Sequence, residues 1–195
     1  MRTLYLVRHC EYENPLNLLA GRLPMPLSEH GIKQAEAMRQ FFTDIPVDMI
    51  YTSAVVRTRQ TAEYISGGKT PIMEDPRLLE TFSAYQGYQS PVTPIDWHPF
   101  WEHQKDLGGE TWMDISKRMG SLYDDLEKTP HETVVIVSHG DPLYLLYRYS
   151  IDGKKLIDSD DPFGMPDSDY QKRGTVRKIE FTGGAECSVS SIMAF

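Results

Sequence analysis

The sequence predicts a three-layer α/β/α domain built on a mostly parallel central sheet. Short apolar runs of strand length alternate with longer stretches at helical spacing along most of the chain. One of those runs, Thr133–Val137, is nearly all valine and isoleucine, as a strand buried on both faces requires. Two runs also end alike, in a histidine followed by a small residue: Arg8-His9-Cys10 and Ser138-His139-Gly140. Strands separated by helices make a parallel sheet covered on both faces, and ligands of such sheets sit beyond the carboxyl ends of the strands.

Thr3–Val7 is apolar and bounded by charge, which predicts a first buried strand. Ser28 is placed to cap a helix reaching about Phe42, with Ala35, Met38, Phe41 and Phe42 at helical spacing. Met49–Tyr51 predicts a second strand, and Ser53 precedes a helix through Ile65 that Gly67-Gly68 ends. Pro71–Met73 predicts a short third strand. Residues 82–109 lack a period, hold two of the three tryptophans and are broken by Pro91, Pro94 and Pro99. They are expected to form an aromatic-rich insertion over the active site within one domain spanning 1–195. Thr111–Leu126 predicts a helix with Ile115, Met119, Leu122 and Leu126 on one face. A helix over about Pro142–Tyr149 follows the strong strand. Val176–Phe181 and Ser188–Ile192 alternate as an antiparallel pair does.

At 195 residues the chain is long enough for one domain with its own core. Cys10 and Cys187 are far apart and suggest neither a disulfide framework nor a zinc site, which suits a cytoplasmic protein. The first apolar run is too short for a signal segment, and no later run could span a bilayer. A net charge of −8 argues against nucleic acid or an anionic membrane as partner, since both demand a broad cationic face. It leaves a small phosphorylated substrate open, because such a site needs only a few focused cations. A monomer or homodimer is the default expectation.

Phosphoryl transfer needs a nucleophile in line with phosphorus, cations on the equatorial oxygens and a proton for the departing oxygen. Imidazole is available as a nucleophile near neutral pH, and the arginine fork binds phosphate through parallel hydrogen bonds. Arg8-His9 places clamp and nucleophile side by side. Leu6-Val7-Arg8-His9 followed by Glu11 resembles the signature of the histidine phosphatase (phosphoglycerate mutase-like) superfamily. Further resemblances follow in the family's order: Gly21-Arg22 with Pro26–Glu29 and Gly31; Ser53, Arg57, Gln60, Thr61 and Ala62; Leu78 and Glu80; Gly108–Thr111 with Arg118; and Val137–Gly140.

The resemblance implies a phosphoglycerate mutase-like fold and a residue set. His9 is the implied nucleophile, and Arg8, Arg57 and His139 hold the phosphoryl oxygens. Glu80 is the implied acid and then base, its pKa raised by burial beside aromatics such as Phe82. No metal and no cofactor are expected, because the arginines and His139 supply the charge. The sequence departs from the family at Cys10, where glycine is usual, and at Pro15, where the family has asparagine. Asn14 is expected to fill that phosphate-binding role through a loop shift. Pro24 replaces a common aspartate, and the glycine after Glu80 comes late, at Gly87.

Several residues carry two readings. Arg22 lines the phosphate entrance or is a solvated loop charge. Trp97, Phe100, Trp101 and Trp112, with Tyr85 and Tyr88, shape a substrate pocket or fill a small core; Tyr85 and Trp101 are the pocket candidates. His98, Glu102 and His103 suggest a metal only weakly, since Pro99 breaks their spacing, and the acidic 158–169 stretch lacks a calcium-loop pattern. Mutases of the family are longer, with a basic insertion and a mobile tail, whereas Ser90–Leu107 holds one lysine and no arginine. A metal-independent phosphomonoester hydrolase is therefore expected. The alternatives are mutase-type transfer and a weakly catalytic phospho-ligand binding protein.

Overall fold

A computed structural model describes residues 3–89, 103–157, 169–181 and 187–195. Its centre is a seven-stranded sheet in the order β3-β2-β4-β1-β5-β6, with β7 also paired to β5. The strands are β1 (Thr3–Arg8), β2 (Met49–Thr52), β3 (Ile72–Glu74), β4 (Thr133–Ser138), β5 (Thr175–Phe181), β6 (Cys187–Val189) and β7 (Met193–Ala194). The half from β3 to β1 is parallel, and from β1 outward through β5 the pairing is antiparallel, so the sheet is mixed. The expected last strand is broken in two. Ser190 sits in the gap and exchanges hydrogen bonds with Lys178, which keeps the edge attached to β5.

The two-residue period of the strands divides the core. On β1 and β4, Leu4, Leu6, Val134 and Ile136 face α3 (Trp112–Leu126) and α4 (Gly140–Ile151). Tyr5, Val7, Val135 and Val137 face the opposite way, towards α1 (Glu29–Phe42) and α2 (Val56–Ser66). Both faces are apolar because helices cover both, which is why β4 reads as a continuous run rather than an alternating one.

Helix starts follow local chemistry. Ser28 accepts from the Gly31 N–H and donates to Glu11, so α1 begins against the loop after β1. Gly31 lies so close that a Cβ there would meet the Glu11 carbonyl oxygen at 1.9 Å. Thr111 and Asp114 cap α3 reciprocally. Ser53 precedes α2 as expected; Val55 occupies the cap with no side-chain bond, and Ser53 faces the site. Helix α4 starts two residues earlier than its proline suggested, directly after His139.

Candidate active site

The parallel register of β1 and β4 builds the site. Arg8 lies opposite Ser138, so the two strands end together. The His9 N–H then donates to the Ser138 carbonyl at 3.0 Å, and the rings of His9 and His139 stand 5.2 Å apart. Both histidines are almost wholly buried.

Helix α2 delivers the second arginine. The Arg57 guanidinium donates from Nε to His9 Nε2 at 3.1 Å and from Nη2 to His139 Nδ1 at 3.0 Å. It also reaches the carbonyls of Gly21 and Leu23 and lies over the Tyr12 ring. Its neighbours on the helix explain the motif spacing. Gln60 accepts from the Leu27 N–H, and Thr61 accepts from the Cys10 N–H. Ala62 is buried in the core on the α1 and α2 side of the sheet.

The hydrogen-bond partners fix each histidine's tautomer. His9 Nδ1 faces the Cys10 carbonyl at 2.8 Å and must carry the hydrogen. Nε2 then presents its lone pair, which accepts from Arg57. Burial, then the positive charges of Arg57 and Arg8, hold His9 well below its ordinary pKa. His139 is held low by burial and by Arg57 as well, and its Nε2–H contacts the Ser53 hydroxyl at 3.0 Å. At 3.6 Å, with the imidazole neutral, the contact from His139 to Glu80 is not a salt bridge.

Glu80 is held between two turns. Ser138 Oγ donates to the Leu78 carbonyl, and Thr81 Oγ1 donates to Asp141, so residues 78–81 are tied to the 138–141 turn on both sides of Glu80. The Thr81 N–H donates to Glu80 Oε1. Burial foremost, then the Asp141 charge, raise the Glu80 pKa to about 7. Phe82, the expected cause, is exposed and stacks with Arg22 instead.

Arg8 donates to the Gln171 carbonyl and lies over the Tyr170 ring, while its Nε is buried and has no hydrogen-bond partner among the described residues. Tyr170 donates to Asp141. A planar donor left unbonded beside His9 suits an incoming phosphoryl oxygen.

The other candidates sit elsewhere. Asn14 bonds the Leu18 N–H through its oxygen and the Leu18 carbonyl through its nitrogen, so it staples its own loop and makes no bond to the histidine cluster. The expected loop shift is therefore not seen. Arg22 is tethered to the Glu80 carbonyl and to Glu110, which Arg118 also binds. It positions the loop bearing Glu80 and is not a solvated charge. Tyr85 stacks edge-on with Tyr88 in a loop that bonds back to Leu19. Trp112 is core, packed on Tyr144. Trp97, His98, Phe100, Trp101, Glu102 and the 158–168 stretch lie outside the described residues. Cys10 points into the core beside Met38, which is how a side chain is accommodated after the histidine.

A family model, the histidine phosphatase superfamily (branch 1), matches residues 4–159. The chain belongs to the histidine phosphatase superfamily. Among curated relatives, phosphoserine phosphatase 1 of Hydrogenobacter thermophilus is 32% identical over 201 residues, covering 93% of each chain. An adenosylcobalamin/alpha-ribazole phosphatase of Salmonella typhi is 30% identical and covers 73% of this chain and 76% of its own. The solved structure of a putative alpha-ribazole-5'-P phosphatase from Escherichia coli superposes with a TM-score of 0.77 at 23% identity. It covers 98% of this chain and 95% of that one. This superfamily member therefore shares its fold with phosphoglycerate mutase-like proteins and resembles phosphatases along most of its length. Among its described residues no helix is long and apolar enough to cross a membrane.

Proposed function

We propose that this chain hydrolyses phosphate monoesters through a covalent phosphohistidine on His9, without a metal. The observation that carries the reading is the His9 imidazole, neutral, with Nδ1–H locked on the Cys10 carbonyl and Nε2 facing the Arg57 guanidinium. In the first step His9 Nε2 bonds phosphorus, the ester P–O bond breaks and Glu80 gives its proton to the departing oxygen. Arg57 exchanges its bond to Nε2 for one to a phosphoryl oxygen, and Arg8 Nε takes another. The dianion favours protonation of His139, which then donates to the same group. In the second step Glu80 takes a proton from water, the oxygen bonds phosphorus, and the P–N bond breaks to release phosphate.

Arginines and imidazole provide the charge neutralisation that a metal provides elsewhere, so turnover should survive chelators. The phosphatase names of the relatives favour water over a second alcohol as acceptor.

The test is intact-protein mass after brief, acid-quenched exposure to an aryl phosphate near pH 6, for wild type and Glu80→Gln. The expected result is a transient gain of one phosphoryl group on His9, longer-lived in the variant. Release of phosphate without any adduct would sink the covalent step. No release across a panel of esters would leave a phospho-ligand binding protein.

A further inference from the structure

The Gly108–Thr111 stretch with Arg118 has no task in the proposed mechanism, yet it lies against the segment that bears the acid. Glu110 precedes the Thr111 cap of α3, and its carbonyl accepts from the buried Gln104 side chain at 2.8 Å. Arg118 stands about two turns further along that helix. It donates from Nε to Glu110 Oε1 at 2.9 Å and from Nη2 to Oε2 at 3.2 Å, a fork on a carboxylate. Oε2 accepts twice more, from the Phe82 N–H at 2.7 Å and from Arg22 Nη2 at 3.0 Å. One carboxylate thus joins α3, the 82 loop and the 22 loop.

These bonds converge on Glu80. The Phe82 carbonyl accepts from the Glu110 N–H at 2.8 Å, so Phe82 is held through both of its backbone groups. Arg22, drawn to Glu110, donates from Nε to the Glu80 carbonyl at 2.8 Å. Arg118 Nη1 donates to the Arg77 carbonyl. The segment is therefore fixed at 77, 80 and 82 from the α3 side, while Leu78 and Thr81 are tied to the 138–141 turn. Glu80 needs this more than its partners do. Arg8, His9 and His139 come from strand ends and Arg57 from a helix, but Glu80 sits on a segment without regular structure. A group on a loop is aimed only as well as the bonds around it.

We propose that Glu110 is the positioning residue for the acid: its carboxylate, locked by Arg118, sets the 80–82 backbone and so aims Glu80 at the leaving oxygen. It acts through Phe82 and Arg22 and not on the substrate itself. This rests on the assignment of Glu80 as the acid. The consequence is selective. The P–O bond of an alkyl phosphate breaks as Glu80 passes its proton to the departing oxygen, whereas dinitrophenolate leaves as a stable anion that needs no proton. A misaimed acid slows the first and spares the second.

The test compares kcat/KM for β-glycerophosphate and dinitrophenyl phosphate in wild type, Glu80→Gln, Glu110→Ala, Glu110→Gln and Arg22→Gln. This parameter runs only as far as P–O cleavage, so the later role of Glu80 as base does not enter. Glu110→Ala should lower the alkyl ester by about a hundredfold, the cost of an ångström of misplacement, and the dinitrophenyl ester by less than about threefold. Glu110→Gln keeps an oxygen for the Phe82 N–H and should recover part of the alkyl loss. Arg22→Gln leaves the Glu110–Arg118 pair whole and should show the same selectivity on a smaller scale, so it decides the matter where Glu110→Ala folds poorly. A merely structural role would lower both esters alike, as would strain passed through the Gly21 carbonyl to Arg57, and either result overturns the inference. So does an unchanged alkyl ester in Glu110→Ala. If Glu80→Gln is selective while the Glu110 and Arg22 variants are not, the acid assignment stands and Glu110 alone loses its role. If Glu80→Gln is itself unselective, or wild type does not hydrolyse the alkyl ester, the acid assignment falls and takes this inference with it.

Discussion

His9 donates its Nδ1–H to the carbonyl oxygen of Cys10 at 2.8 Å, so the residue that departs from the family's glycine also fixes the tautomer of the nucleophile. The bond uses only backbone at position 10, and the thiol turns the other way, into the core beside Met38. Burial pushes the Cys10 thiol up to about 11. We predict that thiol reagents near neutral pH label Cys187, which is partly exposed, and spare Cys10 in the folded protein. Cys10→Ala should keep kcat/KM within about threefold, whereas Cys10→Ser should cost about 1–3 kcal/mol of stability by burying a hydroxyl in that apolar setting. Rapid loss of activity on alkylation at Cys10 would refute this placement.

The pH profile follows from opposite shifts on two groups. The first step needs neutral His9 and protonated Glu80. His9 is depressed by burial, then by Arg57 and Arg8, so the acid limb of kcat/KM should fall well below 6.5. Glu80 is raised by burial and then by Asp141, so the alkaline limb should fall near 7. Asp141→Asn removes a negative charge that opposes Glu80 ionisation, and the alkaline limb should move to lower pH. Comparing the variants on one substrate cancels the ester's own ionisation. An unmoved limb would show that Asp141 does not tune the acid.

What the sequence made legible depended on locality. The ends of β1 and β4 are each a few residues long, and a parallel pair of equal strands must finish side by side, so His9 and His139 could be matched before any coordinates. Arg57 was legible because Gln60 and Thr61 repeat along the same helix face. The support of Glu80 was not. Thr81, Asp141 and Tyr170 meet across 89 residues of chain through single side-chain bonds that no periodicity announces. Asn14 misled because motif position says nothing of which bond an amide makes, and Leu18 lies within its reach.

Gly140 carries a steric prediction. A Cβ there would meet the Tyr170 hydroxyl at 2.0 Å and Arg8 Cζ at 3.1 Å. Gly140→Ala must therefore displace Tyr170 from Asp141 and shift the Arg8 clamp. Misplacing a positioned group by an ångström can cost about a hundredfold, and kcat/KM should fall by that order. Tyr170→Phe removes only the Asp141 bond and should cost far less. Gly140→Ala combined with Tyr170→Ala should recover part of the loss by removing the nearer clash. Equal losses for Gly140→Ala and Tyr170→Phe would rule out displacement of Arg8 as the cause.

The arginines gathered around His9 also predict how the fold responds to anions. Arg8, Arg57 and Arg173 repel one another around two neutral histidines, and an oxyanion that bonds the buried Arg8 Nε relieves both the repulsion and the missing hydrogen bond. Such an anion binds only the folded chain, so inorganic phosphate at a hundred times its dissociation constant should stabilise by about 2.7 kcal/mol. In a domain of this size that corresponds to a Tm rise of roughly 5–10 °C. Arg8→Gln should remove at least half of the rise, because Nε and one fork edge disappear while Arg57 stays in place. Sulfate should act in the same direction, and an equal ionic strength of chloride should not. A Tm that tracks ionic strength alone, equally in wild type and Arg8→Gln, would mean general screening of the acidic surface and no assembled oxyanion site at His9.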